Sequence, residues 1–174
     1  MNKPLISLIL LFLPLSSLLS FHKTDKREEL TVYVFLSETC PICQSITTEL
    51  KQIDTRFRGE GVKLVGLFPS PKISTEESRK KFAKKYQLSF PLLSDSSHTF
   101  TQKYQATITP EVVVVNDVSG EIIYRGLVDN SFASVGKRRR VVSEHYLLDI
   151  LQHYYAGTPS TITSTQPVGC IIQQ

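Results

Sequence analysis

Two cysteines stand three positions apart in the stretch FLSETCPICQS (35–45), and a third, Cys170, lies far downstream. The spacing C-x-x-C serves a redox dithiol, half of a zinc site or a structural disulfide. Zinc needs four ligands, or three and a water. The remaining candidates are Cys170 and four scattered histidines, with no second C-x-x-C and no H-x-x-x-H. A purely structural disulfide across so short a loop would restrict the unfolded chain little. The redox dithiol is therefore the strongest reading of Cys40 and Cys43, with a structural disulfide behind it.

The surrounding pattern decides what such a dithiol could do. Leu30 to Leu36 (LTVYVFL) is nearly continuous in apolar, strand-forming residues, as a central strand covered on both faces should be. After the cysteines, Ile46, Leu50, Ile53 and Phe57 recur at helical spacing, and Gly59 and Gly61 close the element. Cys40 thus falls between a strand and the start of a helix. Unpaired amide N–H groups and the positive end of the helix dipole there favour a thiolate. Cys43 lies one turn into the helix and faces inward. The expected roles are Cys40 as nucleophile and Cys43 as resolving thiol, forming a redox disulfide with each other. Pro41 suits the first helical turn, where its missing N–H would be unpaired anyway.

Beyond the dithiol, 62–68 (VKLVGLF) predicts a second strand, and Ser74-x-x-Glu77 a capping box opening a lysine-rich helix through Tyr86. Residues 90–93 read as a short extended piece and 98–104 as a short helix. Residues 111–116 and 121–126 read as an antiparallel hairpin. Ser143 is placed to cap a last helix carrying Leu147, Leu148, Leu151, Tyr154 and Tyr155, which Gly157 and Pro159 stop. A strand-helix-strand start followed by a hairpin and a closing helix implies an α/β fold with a mixed central sheet and helices on both faces.

The first twenty residues carry one positive charge, Lys3, and a run from Leu5 to Leu19 that is almost wholly apolar. That pattern fits a secretory signal, with an uncleaved N-terminal anchor as its alternative. The expected organisation is a signal or anchor over 1–20, a polar linker over 21–29, one domain over 30–157 and a C-terminal tail over 158–174 bearing Cys170. The folded part is expected outside the cytosol, in a periplasmic or other extracytoplasmic space. A formal net charge of +4 is mild and does not argue for nucleic acid. The dense basic run Lys137-Arg138-Arg139-Arg140 lacks interleaved aromatics and reads as a solvated loop.

Cys40-Pro41-Ile42-Cys43, together with Ala106-Thr107-Ile108-Thr109-Pro110-Glu111 before the VVVV strand, resembles the thioredoxin superfamily over roughly residues 28–156. The nearest branch is that of exported redoxins, close to the alkyl hydroperoxide reductase/thiol-specific antioxidant group and to the thioredoxin-like proteins of cytochrome c maturation. The resemblance implies a thioredoxin-like fold in which Pro110 follows a cis bond and lies against the dithiol, with Thr109 and Pro110 lining the substrate groove. It implies thiol-disulfide exchange with client proteins and with a soluble or membrane-bound electron donor or acceptor, and no cofactor or resident metal. Departures are visible. The chain has no tryptophan, Thr39 standing where thioredoxins usually carry one. Val34 falls near the place of the family's buried aspartate. Glu111, and behind it Glu38, are the nearest acidic substitutes for a proton acceptor near Cys43.

Two other chemistries compete. A thiol peroxidase would show P-x-x-x-[ST]-x-x-C; Ser37 fits the hydroxyl position, but Tyr33 occupies that of the proline. Copper-binding relatives of this fold resemble C-x-x-x-C with a remote histidine, for which His98 or His145 would have to serve. Cys170 reads as an incidental thiol on a loose terminus, a second resolving thiol, an intermolecular disulfide partner or a metal ligand. The segments Tyr124-Arg125-Gly126 and Gly136-Lys137-Arg138-Arg139 accompany such a tail in related redoxins.

Overall fold

Leu30–Phe35 (β1) occupies the middle of the sheet, and that is why it reads as an unbroken apolar run. A computed structural model describes residues 29–158 and 160–173; the predicted export segment, 1–20, and the linker as far as 28 lie outside them. The order among the described residues is β1, α1 (Pro41–Phe57), β2 (Val62–Phe68), α2 (Glu76–Tyr86), β3 (Leu92–Ser94), α3 (Thr99–Lys103), β4 (Ile108–Thr109), β5 (Glu111–Asn116), β6 (Ile122–Gly126), β7 (Phe132–Ser134), β8 (Lys137–Arg138), α4 (Tyr146–Tyr155) and β9 (Cys170–Ile171). The main sheet has five strands in the order β3-β2-β1-β5-β6. β1 pairs in parallel with β2 and antiparallel with β5. The sheet is mixed, as the strand-helix-strand and hairpin patterns require.

Alternation along β5 divides the core. Val112 and Val114 pack with Ile42, Cys43, Ile46, Leu50 and Ile53 of α1 and with Leu147, Ile150 and Leu151 of α4. Val113 and Val115 face the other way, toward Tyr104, Ala106 and Ile172, with Phe100 of α3 packed against them. α1, α2 and α4 therefore bury their apolar stripes on one face, and the short α3 covers part of the other.

Three local expectations are corrected. The capping box of α2 is built by Thr75 and Ser78, whose hydroxyls accept from each other's backbone N–H at 3.1 and 2.9 Å. Thr75 has the extended backbone a cap requires, while the Ser74 hydroxyl donates to Glu38. Ser143 does not cap α4. Its N–H and hydroxyl engage the Asn130 side chain, and the helix begins only at Tyr146. The basic run is not wholly loop: Lys137 and Arg138 form β8, paired with β7 around Gly136, whose φ of 79° suits a turn.

Candidate active site

Cys40 is the N-cap of α1 and Pro41 its first helical residue. The backbone N–H groups of Ile42 and Cys43 therefore point at the Cys40 sulfur. The Cys40 thiol is brought down to about 5, first by the hydrogen bond from the Cys43 thiol. Burial opposes that shift, and a second hydrogen bond from Cys170 and the two N–H groups support it. Cys43 is fully buried. Burial, then the hydrogen bond and negative charge at Cys40, push its thiol well above the ordinary range, although the Ser37 N–H, at 3.4 Å, works the other way. One sulfur is poised as a thiolate while its neighbour holds a proton.

β4 brings Thr109 and Pro110 to the same place. The Thr109–Pro110 peptide is cis, and the Thr109 carbonyl lies 3.4 Å from the Cys40 sulfur. Both residues are buried.

Cys170 is the residue that periodicity and spacing could not place. β9 pairs antiparallel with β4, setting Cys170 opposite Thr109 and Ile171 opposite Ile108. Its sulfur lies 2.8 Å from that of Cys40, with the thiol directed at Cys40. Burial, then the hydrogen bond to Cys40 and the charge there, push the Cys170 thiol up to about 11. With β9 in place Cys40 is only 1 % exposed. The preceding segment is tied to the edge of the sheet through Arg125, whose backbone N–H donates to the Thr163 carbonyl and whose carbonyl accepts from the Thr165 N–H. Tyr124-Arg125-Gly126 is therefore the docking edge for the tail. The signal available in the sequence was Gly126 itself, since a Cβ there would strike the Thr165 backbone.

Glu111 does not serve as a proton acceptor for Cys43. It falls on the same side of β5 as Val113 and Val115, the face opposite the dithiol. Its carboxylate is engaged by Arg125 at 3.0 Å and by the Thr107 N–H. Glu38 sits beside the loop before Cys40, one carboxylate oxygen accepting from Ser74 and Ser78 at 2.7 Å each. His98 donates from Nε2 to the Pro69 carbonyl, and His145 meets Glu49 at 3.0 Å. Among the described residues no three of His, Cys, Asp and Glu form a group that could hold a metal ion, so neither histidine completes a copper site with the cysteines.

The AhpC/TSA family model matches residues 19–125, more than half of the chain. A solved structure of an uncharacterized conserved protein from Geobacillus kaustophilus superposes with a TM-score of 0.73 at 24% identity, covering 84% of this chain and 78% of the other. A thioredoxin-like protein from Aeropyrum pernix gives 0.54 at 14% identity over 74% and 79%. A secreted Mycobacterium tuberculosis disulfide oxidoreductase homologous to E. coli DsbE gives 0.52 at 19% identity over 74% and 81%. No curated protein matches. The fold is thioredoxin-like, and the chain belongs to the AhpC/TSA family.

Proposed function

We propose that this AhpC/TSA family member is an exported thiol-disulfide oxidoreductase acting through Cys40 and Cys43. The opposite ionisation of the two sulfurs carries this reading: Cys40 falls to about 5 and Cys43 rises well above its ordinary value on a single helical turn. The Cys40 thiolate attacks a client disulfide, forming a mixed disulfide and releasing one client thiolate. Capture of Cys40 removes its charge and its acceptor role, two of the causes that hold the proton on Cys43. Cys43 then loses that proton, attacks Cys40 and releases the second client sulfur, leaving a Cys40–Cys43 disulfide. Thr109 and Pro110 line the groove for the client backbone. A soluble or membrane-bound protein carrying thiols would restore the dithiol.

Export is supported by the apolar run of residues 5–19 and by the secreted oxidoreductase among the structural neighbours. No helix of the described residues is long and apolar enough to cross a membrane.

A redox titration tests the reading in the Cys170→Ser chain, where the dithiol is isolated. A two-electron couple is expected, lost when Cys43→Ser is added. Rapid peroxide consumption that survives in the double variant would replace this reading with a thiol peroxidase.

A further inference from the structure

Cys40 is the expected nucleophile, yet it is sealed by a strand of its own chain. We propose that Cys170 is a second resolving thiol for Cys40, held on a strand that occupies the client groove, so that Cys40 closes either of two internal disulfides. This rests on the thiol-exchange reading above.

The arrangement is built at several points along the segment. The Ile172 N–H donates to the Thr107 carbonyl at 2.9 Å, and the Thr109 hydroxyl donates to the Cys170 carbonyl. Ile172 is buried in the second core cluster with Phe35, Leu67 and Val113. Gly169 leaves room for the approach: a Cβ there would be driven into the Thr109 carbonyl. Upstream, the Thr165 hydroxyl accepts from the Leu127 N–H at 2.8 Å and meets the Tyr124 hydroxyl at 2.7 Å. An extended peptide joined to an exposed edge by main-chain bonds, with one side chain delivered into the site, is the general mode of strand addition. Here the peptide is tethered and the delivered side chain is a thiol in contact with Cys40.

The step balances with a low-molecular-weight disulfide as the oxidant. Cys40 thiolate attacks it, forming a mixed disulfide and releasing one small thiolate. Cys170, deprotonated, then attacks the Cys40 sulfur. The Cys40–Cys170 bond forms, the mixed disulfide breaks, and the second small thiolate leaves and takes up the proton. Two protein thiols are oxidised and one small disulfide is reduced to two thiols. Part of the rise at Cys170 comes from the Cys40 thiolate, and that part vanishes once Cys40 is in the mixed disulfide. Cys43 can afterwards displace Cys170 from Cys40, opening the groove and closing the ordinary pair.

The test uses the full chain in a graded series of oxidised and reduced glutathione, with free thiols alkylated and disulfides mapped by peptide mass. The Cys43→Ser chain is expected to form a Cys40–Cys170 linkage. Its effective concentration should lie well above the roughly millimolar value of a flexible tether. Adding Gly169→Val should lower that value by about tenfold or more and leave glutathione on Cys40. The inference is overturned if Cys43→Ser carries glutathione on Cys40 with Cys170 free, in the same proportion whether position 169 is Gly or Val. Wild-type chain needs no variant to fold and, quenched early after the oxidant is added, should show the Cys40–Cys170 peptide before Cys43 displaces Cys170; its absence at every time point would equally overturn the inference. The Cys170→Ser chain tests the dithiol separately, because failure there to form Cys40–Cys43 would remove the underlying reading instead.

Discussion

Cys40 caps α1, Cys43 lies on its first turn, and the thiol of Cys43 is the main support of the thiolate at Cys40. A group stabilised as its anion loses reactivity only when pH falls through its lowered value. Alkylation of Cys40 in the reduced chain, followed by peptide mass, should therefore reach half its plateau near pH 5 and stay flat through neutrality. Coverage by β9 lowers the rate, and the Cys170 hydrogen bond it brings is one of the causes that set the inflection. Cys43→Ala removes the first of the supporting hydrogen bonds, so the inflection should move upward. An inflection that stays where it was would show that the Cys43 thiol does not hold the charge.

Glu111 and Arg125 predict a different loss. The carboxylate is buried and the guanidinium one-third exposed, at 3.0 Å. Arg125→Ala would strand a buried charge and should cost about 3 kcal/mol in urea unfolding. Glu111→Gln keeps the shape without the charge and should cost about 1 kcal/mol. Equal losses would contradict the asymmetry.

Glu38 yields a test of role rather than strength. It joins the loop before Cys40 to the start of α2 through Ser74 and Ser78. Glu38→Ala should lower stability by about 1–2 kcal/mol and leave the pH profile of Cys40 alkylation unchanged. A loss of dithiol exchange in Glu38→Gln, with stability intact, would instead make Glu38 the proton acceptor.

The parts legible in the sequence were those set by neighbours along the chain. The unbroken apolar run of β1, the helical spacing of Ile46, Leu50, Ile53 and Phe57, and the place of Cys40 between them are local patterns. The caps of α2 and α4 were misread because several hydroxyls compete for each role. Ser74 is drawn to Glu38 and Ser143 to Asn130, contacts made across the fold. Glu111 was misassigned for want of one fact, the register of β5, which turns its side chain away from the dithiol. The partner of Cys170 was beyond any periodicity, since 130 positions separate it from Cys40. Gly126 and Gly169 mark its path, but a glycine in a sequence does not say what approaches it.

Docked along that path, the segment would make access to Cys40 depend on a residue far from it. Thr165 holds the segment through the Leu127 N–H and the Tyr124 hydroxyl, and neither bond involves a cysteine. Thr165→Val is nearly the same size and removes both bonds, worth together about 1–2 kcal/mol of docking. Every 1.4 kcal/mol is about a factor of ten in an equilibrium, so the open population should rise about tenfold. At neutral pH the Cys40 thiolate is already formed, and the gain should appear directly as a faster rate of alkylation at Cys40. Urea unfolding should lose no more than the same amount, about 1–2 kcal/mol, because the two bonds belong to the docked segment alone. If alkylation is no faster in Thr165→Val, the segment is not what limits access, and Cys40 is reached by some other opening.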